Sequence, residues 1–344
     1  METLKKTITF LVPCYNVAST LRRCIDSMLV PELLDDIEIL VINDGSKDNT
    51  LDILHEYEEQ YPTVVRVIDK PNGGWGTAIN IGIREAQGKY LKEVDSDDWV
   101  STKNLRSYMT TLKKTDCDYV ATEYQDYFNA DDSFLLHTYQ GDCYNQALSI
   151  SDFWSRYPTA WGFPIHAVTF RTELLKEMNL TVGDRYYCDL EYILYPLPFV
   201  KTITVLNIPI SVYFHGSDEQ STGPAGYKKH YNDYLNLAKR LVVFSNTLPE
   251  TAIAPVRKCI ADNVQGVINF AYNLLLSPTY MGKDNIEPIR KDFDLWLKNE
   301  GPLYYRTGNS LKKRGLPYLK LWRKLGINIL SIKNNNILEL LLIR

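Results

Sequence analysis

Strand-like apolar runs alternate with helical patterns in the first hundred residues, and this alternation constrains the fold more than any other feature. The strand-like runs cover residues 7–12, 37–42, 64–68 and 90–94, and residues at helical spacing cover 18–29, 50–61 and 76–86. Strand–helix repeats of this length imply right-handed crossovers and a mainly parallel sheet. The sequence therefore predicts an α/β fold with helices flanking the sheet.

Polar turn residues follow the strands of this predicted sheet. The turns are Pro13-Cys14-Tyr15-Asn16, Asn43-Asp44-Gly45-Ser46 and Asp95-Ser96-Asp97. In parallel sheets the carboxyl ends of the strands meet at one edge, and ligands bind there. A Gly-x-Gly-x-x-Gly motif is missing after the first strand, as is a Gly-Lys-Ser/Thr motif, which excludes the common dinucleotide and P-loop sites. We expect a nucleotide site of another kind.

Three carboxylates crowd the end of the fourth strand, at Asp95, Asp97 and Asp98. Side chains alternate along an extended chain, so Asp95 and Asp97 can point the same way. Such a pair suits a hard divalent cation, Mg²⁺ or Mn²⁺, whose commonest anionic partner is a diphosphate. A lone acidic cluster is also typical of a solvated turn. The convergence of the three turns favours the site.

Composition limits the other classes of function. Hydrophobic residues make up 45% and charged residues 23% of the 344 residues, as in soluble globular proteins, and the net charge of −4 argues against nucleic acid as a partner. The six cysteines are scattered without a Cys-x-x-Cys pair, which fits a reducing cytoplasm rather than a zinc site or a disulfide scaffold. We expect neither a signal peptide nor a membrane-spanning segment.

Positive charge is concentrated at the C-terminal end. Residues 303–344 hold nine Lys or Arg and one acidic residue, a net +8 against −12 for the rest of the chain. The basic residues interleave with leucines and with Tyr318 and Trp322. A basic amphipathic segment of this kind suits an anionic membrane surface, and it equally suits docking on the acidic body of the same chain.

Five motifs in order resemble the family 2 glycosyltransferases, which have the GT-A fold. They are Val12-Pro13-Cys14-Tyr15-Asn16, residues 41–50, Asn72-Gly73-Gly74, Asn80 with Gly82, and Asp95-Ser96-Asp97-Asp98. The resemblance is dense over residues 7–100 and thinner to about residue 222. It implies transfer of a sugar from a nucleotide diphosphate donor, with inversion at the anomeric carbon.

The resemblance also implies roles for individual residues. Asp44 would accept a hydrogen bond from the imide N–H of uracil, which favours a UDP-sugar donor. The full set of donor-binding residues expected is Pro13, Tyr15, Asn16, Asp44, Lys70, Asn72, Gly73, Gly74, Asn80, Asp95 and Ser221. The expected ligands of a Mn²⁺ or Mg²⁺ ion are Asp95, Asp97 and His215.

A general base is expected in the second half of the chain. Residues 184–192 match the segment in which the family carries a Glu-Asp pair before an apolar helix. Asp189 falls on the Asp of that pair and is the expected base, while Cys188 replaces the Glu. Glu191 is the alternative base, and a helix N-cap is the structural alternative for Asp189.

The predicted organisation has three parts: a GT-A domain (residues 1–225), a helical appendage (226–302) and a basic amphipathic tail (303–344). The appendage is expected to form a homodimer, support the loop over the donor or hold the acceptor. The expected acceptor is a glycan, a polyprenyl-linked sugar or a glycoprotein in bacterial surface polysaccharide assembly. The expected location is the cytoplasm, with the inner face of the membrane as the peripheral site. The alternatives are a catalytically silent nucleotide-sugar-binding module and a sugar-phosphate nucleotidyltransferase.

Overall fold

The computed structural model describes residues 6–139, 141–157, 163–184, 186–216, 223–281, 286–313 and 316–331. The chain forms two compact units. The first runs to residue 217 and takes in 250–256, and the second comprises 218–249 and 257–344. The boundaries predicted from sequence at 225 and 302 stay predictions.

The first unit is built on one sheet. Its described strands are β1 (Ile8–Cys14), β2 (Ile37–Asn43), β3 (Val65–Asp69), β4 (Tyr90–Glu93), β5 (Trp99–Val100), β6 (Tyr119–Phe128), β7 (Ser133–His137), β8 (Leu148–Ser149), β9 (Val168–Arg171) and β10 (Thr202–His215). The order is β3-β2-β1-β4-β9-β6-β10-β5, with β7 on β6 and β8 on β10. Strands β1 to β4 run parallel to one another, and β9 lies antiparallel between β4 and β6.

Helices cover the sheet, as the alternation in the sequence predicts. They are α1 (Leu21–Met28), α2 (Thr50–Gln60), α3 (Trp75–Glu85), α4 (Thr102–Lys114), α5 (Ile150–Arg156), α6 (Thr172–Glu177) and α7 (Asp189–Leu194). Short 3₁₀ turns span Pro31–Asp36 and Ile165–Ala167. Strands β1 and β2 are buried along their whole length, because helices cover both faces of a parallel sheet. The predicted α/β fold of GT-A type is confirmed.

The pairing of β6 with β10 decides which side chains share a face near the sheet edge. The two strands run parallel, but their register shifts between Leu206 and Ser211. Beyond the shift Tyr213 lies opposite Asp126 and His215 lies opposite Phe128. Four residues of β10 (207–210) stand against one residue of β6 (Glu123), and this excess of three residues fixes where the end of β10 points.

The second unit is helical. Its described helices are α8 (Pro224–Lys229), α9 (Tyr231–Asn246), α10 (Ala254–Leu276, whose first residues belong to the first unit), α11 (Pro278–Met281), α12 (Glu287–Glu300), α13 (Pro302–Gly308) and α14 (Tyr318–Leu325). A 3₁₀ turn follows at Ile329–Ser331. In the described ranges, none of the helices has the length and apolar character needed to cross a bilayer.

The described part of the basic tail is anchored in this unit. Arg323 is nearly buried, pairs with Asp294 at 2.8 Å, and also donates to the hydroxyl of Tyr272 at 2.9 Å. Tyr318 and Trp322, the aromatic residues expected at a membrane surface, are buried instead. The tail thus docks on its own chain through these residues, while Lys320 and Lys324 stay exposed.

Candidate active site

Backbone hydrogen bonds bring the turns after β1, β2 and β3 together at the carboxyl edge of the sheet. The amide of Asp44 donates to the carbonyl of Cys14 at 2.8 Å, and the amide of Lys70 donates to the carbonyl of Asn43 at 3.0 Å. The side-chain amide of Asn43 also reaches Asp69 at 2.6 Å. The convergence expected from the strand order is therefore present in the structure.

The turn after β1 is tied to the turn after β2 by Asn16. This residue has a positive φ of 55°, a conformation that Asn tolerates better than most residues. Its side-chain oxygen accepts from the amide of Lys47 at 2.7 Å, and its own amide donates to the hydroxyl of Ser46 at 3.0 Å. Pro13 is buried in β1, whereas 46% of Tyr15 is exposed at the edge. Tyr15 therefore offers an exposed ring that a nucleobase could lie against.

Asp44 organises the turn that follows β3. Its buried carboxylate accepts from the amide of Gly73 at 2.8 Å, the amide of Gly74 at 2.7 Å and the side-chain amide of Asn72 at 3.1 Å. It also pairs with Lys70. The structure thus gathers five of the expected donor-binding residues around one carboxylate. The expected contact of Asp44 with the base stays a prediction.

The acidic turn after β4 is fixed by residues from three other elements. Nε1 of Trp75, the first residue of α3, donates to Oδ1 of Asp95 at 3.2 Å. A guanidinium nitrogen of Arg23, in α1, donates to the carbonyl oxygen of Asp97 at 2.7 Å. Oδ1 of Asp98 accepts from the amide of Phe214 in β10 at 2.8 Å. Asp98 is therefore a buried anchor of the turn, and Asp95 and Asp97 remain half-buried beside it.

Burial and mutual repulsion disfavour the ionised forms of the carboxylates in this turn. Burial, together with the neighbouring charge of Asp97, raises the pKa of Asp95 to about 6. The charge of Asp189 adds to the same shift, so these carboxylates lie within electrostatic range. Burial also raises the pKa of Asp97. A cation placed between carboxylates would relieve this repulsion.

The donor atoms of Asp95 and Asp97 fit a magnesium or manganese ion in part. Both are hard oxygen ligands, as these ions prefer. Among the described residues, however, no group of three His, Cys, Asp or Glu side chains is arranged to hold a metal ion. A Mg²⁺ ion commonly takes only one or two carboxylates and completes its shell with substrate phosphates and water. Two aspartates at a diphosphate site match that pattern.

His215, the third expected ligand, makes different contacts. Its Nε2 lies 3.4 Å from Oδ2 of Asp126, and its ring stacks on Phe128 with centroids 4.7 Å apart. The prediction that it completes a metal shell has no support from these contacts and stays a prediction. Ser221, expected among the donor-binding residues, lies outside the described residues.

Asn80 holds the segment that leads to the candidate base. Its side-chain amide donates to the carbonyl of Val182 at 3.0 Å, and its side-chain oxygen accepts from the amide of Val182 at 2.9 Å. The amide of Gly76 donates to the carbonyl of Asp184 at 3.0 Å. Asn80 was expected at the donor, but its described contacts are those of a positioning residue for residues 182–184.

Asp189 is the first residue of α7, and the N-cap is Cys188 rather than Asp189. Burial raises the pKa of the Asp189 carboxyl, which brings it closer to the neutral range of a general base. Glu191, the alternative, is fully buried: its carboxylate accepts from the amide of Gly183 at 2.7 Å and the hydroxyl of Tyr195 at 2.8 Å. These bonds give Glu191 a structural role and favour Asp189.

Sequence reasoning missed Trp75 and Arg23. The guanidinium of Arg23 lies 4.1 Å from the ring centroid of Trp99 and 4.6 Å from that of Phe214, and it thereby links α1 to the acidic turn and to β10. Both residues lie at helix starts that follow a strand or a glycine turn, where side chains reach the carboxyl edge. That position is the signal that could have identified them.

Comparisons with known proteins agree with this geometry. Residues 9–175 match the sequence profile of the family described as Glycosyl transferase family 2. The match takes in 167 of the 344 residues and identifies this part of the chain as a family 2 glycosyltransferase domain.

Relatives and solved structures are consistent with the assignment. The chain is 30% identical to glycosyltransferase GlyG of Streptococcus pneumoniae over 190 residues, 53% of this chain and 62% of the relative. It is 29% identical to glycosyltransferase GlyA of the same organism over 51% of this chain and 26% of the relative. The chain thus covers less than two thirds of either relative. Its fold is similar to that of TarS residues 1–349 of S. aureus, solved in complex with UDP-GlcNAc, with a TM-score of 0.53 at 17% identity over 86% of this chain and 80% of that one.

Proposed function

We propose that this glycosyltransferase moves a sugar from a UDP-sugar to an acceptor hydroxyl, with a divalent metal ion and with inversion at the anomeric carbon. The observation that carries the proposal is the convergence of the turns after β1, β2 and β3 with the acidic turn after β4 at the carboxyl edge of the sheet. Asp95, Asp97 and Asp189 come from the end of β4 and the start of α7, and their mutual repulsion contributes to the raised pKa of Asp95.

The nucleotide would lie over the turns after β1, β2 and β3. Tyr15 offers an exposed ring for the base, and the Gly73–Gly74 turn offers backbone without side chains beside it. Lys70 pairs with Asp44, which holds this turn, and its cation suits a diphosphate. The similar fold of TarS was solved with UDP-GlcNAc and with UDP, which supports UDP as the nucleotide.

The metal ion would be held by Asp95 and Asp97 together with oxygens of the donor. When bound, a divalent ion at this place neutralises negative charge that develops on the leaving diphosphate. The protein contributes by fixing the turn: Trp75 orients Asp95, Arg23 holds the backbone of Asp97, and Asp98 ties the turn to β10.

Asp189 would take the proton of the acceptor hydroxyl. The acceptor oxygen then forms a bond to the anomeric carbon while the bond from that carbon to the diphosphate breaks, and UDP leaves. One base with no second carboxylate acting as nucleophile gives a single displacement, hence inversion. The raised pKa of Asp189 improves its match to a proton transfer near neutral pH.

The acceptor is proposed to be a glycan, a polyprenyl-linked sugar or a glycoprotein of a bacterial surface polymer. Membrane contact through the tail is a separate part of this proposal. Because Tyr318 and Trp322 are buried in the helical unit, the contact would depend on exposed lysines such as Lys320 and Lys324.

Donor and metal binding can be measured first. UDP and a panel of UDP-sugars are titrated into the protein by calorimetry, with Mn²⁺, with Mg²⁺ and with a chelator. We expect metal-dependent binding of UDP that is lost in Asp97→Asn. The exposed Asp35, on the 3₁₀ turn at the opposite edge of the sheet, provides the matched control Asp35→Asn, which should bind as the wild type does. Equal UDP affinity in Asp97→Asn would refute the metal assignment.

Measurements of the turnover rate test the assignment of Asp189 as the general base. Release of UDP from the donor that binds best is followed with and without acceptor extracts. Asp189→Asn should retain UDP binding and lower turnover by about 10²–10⁴-fold, since general-base catalysis contributes that much. Glu191→Gln should lower stability more than turnover per folded molecule. Wild-type turnover in Asp189→Asn would place the base elsewhere, and binding without any turnover in the wild type would favour the silent-module alternative.

A further inference from the structure

A cavity lined by basic side chains lies at the amino edge of the sheet, away from the candidate active site. This edge is formed by the starts of β1 and β4 and by the end of β9, which runs antiparallel to β4. Strand β1 has seven residues, so the amino edge lies about 20 Å from the carboxyl edge. The volume of the cavity is about 360 Å³. Its lining residues are Lys6, Thr7, Lys89, Lys113, Arg171 and Glu173. We refer to this site as the basic cavity.

The sheet and one helix fix the positions of the four cations in the cavity wall. The amide of Lys89, just before β4, donates to the carbonyl of Lys6, just before β1, at 2.8 Å. In the antiparallel pair of β4 and β9, Arg171 lies opposite Tyr90, the residue that follows Lys89. Lys113 approaches from the last turn of α4. The four cations therefore come from separate elements that meet around one cavity.

The wall of the basic cavity is positive. It carries four cations and one carboxylate, that of the exposed Glu173. Three of the cations also form ion pairs with aspartates. The pairs are Lys89 with Asp116 at 2.6 Å, Lys113 with Asp36 at 2.5 Å and Arg171 with Asp118 at 3.3 Å. Among the described residues, none of these aspartates lines the cavity. The interior therefore favours an anion.

The cations keep hydrogen-bond donors for a ligand. Within the described part of the chain Lys6 makes no ion pair, and its ammonium group donates only to the carbonyl of Leu34 at 3.1 Å. The contact of Arg171 with Asp118 involves Nε and is not a hydrogen bond. The side chain of Arg171 is 24% exposed, so solvent reaches it. A guanidinium with unused N–H groups can bind two oxygens of a phosphate at once.

The arrangement suits a phosphate group better than other ligands. A phosphate group presents three acceptor oxygens and carries up to two negative charges, whereas a carboxylate has two oxygens in one plane and one charge. Cations on several sides of the cavity match the first of these shapes. Aromatic and branched apolar side chains are missing from the described wall, so an uncharged ring has little to pack against. The volume suffices for a small group attached to the phosphate.

We propose that the basic cavity binds a phosphate group, carried by a small molecule or by a lipid head group, at a site separate from that of the sugar donor. The guanidinium of Arg171 binds two of the phosphate oxygens. The ammonium groups of Lys6, Lys89 and Lys113 balance the negative charge. This site is independent of the proposed function, because none of its residues belongs to the candidate active site.

The test measures binding in two arms, both without UDP. In the first arm, inorganic phosphate, glucose 6-phosphate and acetate are titrated into the protein by calorimetry at constant ionic strength. In the second arm, the protein is sedimented with vesicles of phosphatidylglycerol, and vesicles of phosphatidylcholine, which has no net charge, serve as the reference. The first arm detects a free phosphate compound and the second detects a lipid head group.

Two variants remove cations of the cavity, and two variants serve as controls. Arg171→Gln removes the guanidinium, and Lys6→Gln removes a cation that has no ion pair to lose, so the fold is not at risk. Lys103→Gln is the matched control, because the exposed Lys103 lies on α4 ten residues before Lys113 and so about 15 Å away along the helix. Lys70→Gln tests whether the phosphate binds at the donor site instead.

We expect phosphate, glucose 6-phosphate or phosphatidylglycerol vesicles to bind the wild type. The affinity should fall about tenfold in Lys6→Gln and in Arg171→Gln, because each variant loses hydrogen bonds between charged groups. Lys103→Gln and Lys70→Gln should bind as the wild type does. Melting temperatures of the same samples verify the fold of each variant.

Failure of both phosphate compounds and of the phosphatidylglycerol vesicles to bind would overturn the proposal. Binding that is equal in the wild type and in the folded Lys6→Gln and Arg171→Gln variants would also overturn it, as would binding that is lost in Lys70→Gln. Tighter binding of acetate than of inorganic phosphate would overturn the choice of a phosphate group. These outcomes do not depend on whether the candidate active site binds UDP.

Discussion

Replacing Gly76 by Ala should separate chemistry from donor binding. Gly76 is the second residue of α3, where it faces the chain that leads to Asp189. A Cβ atom added here would stand 1.6 Å from the carbonyl oxygen of Gly183 and 3.2 Å from Sγ of Cys188. Ordinary contact distances require ~3.5 Å, so the carbonyl or the helix must move by roughly 2 Å.

The structure indicates whether the start of α3 or the segment around Gly183 moves. The start of α3 is held by the amides of Gly73 and Gly74 on Asp44 and by the indole of Trp75 on Asp95. The segment around Gly183 is an irregular connection between helices α6 and α7. We therefore expect this segment to shift and to carry Asp189 with it. A misplacement of about 1 Å in a reacting group can cost 10²-fold in rate.

The assay is steady-state UDP release together with UDP affinity and thermal melting. Gly76→Ala should lower kcat at least ~100-fold. Its UDP affinity should stay within about threefold, an energy change of less than 1 kcal/mol. Gly82→Ala is the matched variant on the same helix, because its Cβ would stand 2.2 Å from the side chain of Leu11 in the core. It should cost about 1–3 kcal/mol of stability by overpacking and leave turnover of the folded enzyme unchanged.

Gly266→Ala completes the series. A Cβ at Gly266, in α10 of the helical unit, would meet nothing within 4 Å. It should raise stability by up to about 1 kcal/mol through helix propensity and affect nothing else. Wild-type kcat in a folded Gly76→Ala variant would refute the argument. A parallel loss of UDP affinity and kcat would show that α3 moves instead of the segment.

Three further outcomes follow from named contacts. Burial lowers the pKa of Lys92 to about 7, so between pH 7 and 10.5 this side chain holds a proton in the unfolded chain but not in the folded one. The free energy of unfolding of the wild type, measured relative to that of Lys92→Met in denaturant titrations, should therefore rise by about 2–3 kcal/mol from pH 7 to 9. Arg23→Gln should weaken metal-dependent UDP binding about tenfold, because the backbone of Asp97 loses its hydrogen bond to Arg23. The melting temperature should stay almost unchanged, because Arg23 is exposed. A UDP affinity equal to that of the wild type would show that Arg23 is not part of the site. Arg323→Leu should destabilise the protein by about 3–5 kcal/mol, since it leaves the charge of Asp294 unpaired, whereas the exposed Lys320→Leu should change the stability little.

The sheet edge could be predicted from sequence because it depends on strand order alone. Once 7–12, 37–42, 64–68 and 90–94 are parallel strands, the turns that follow them must meet. The contacts between residues within the site could not be predicted in this way. Asn80 bonds to Val182, which lies 102 residues along the chain, and no local pattern encodes that contact.

The end of β10 shows a second limit of sequence reasoning. His215 is the last residue of β10, and the place in a metal shell that the family resemblance implies for it stays a prediction. Its actual neighbours, Asp126 and Phe128, depend on the register shift between Leu206 and Ser211. A shift by an odd number of residues reverses the face of every later side chain. Patterns in a single sequence do not reveal where such a register shift occurs.

Asp44 has a structural role in addition to the contact with uracil that stays a prediction. A carboxylate offers about four lone-pair positions, and Lys70, Asn72, Gly73 and Gly74 together supply donors to them. For the base to reach Asp44, one donor has to leave. The two amides and the Asn72 side chain belong to the turn itself, whereas Lys70 is a cation on a flexible stem. On the proposed function, an arriving diphosphate would attract that cation, and the departure of Lys70 would free the lone pair that uracil requires. We therefore expect the roles of Lys70 and Asp44 to be steps of one exchange, in which the donor replaces the ion pair between these two residues.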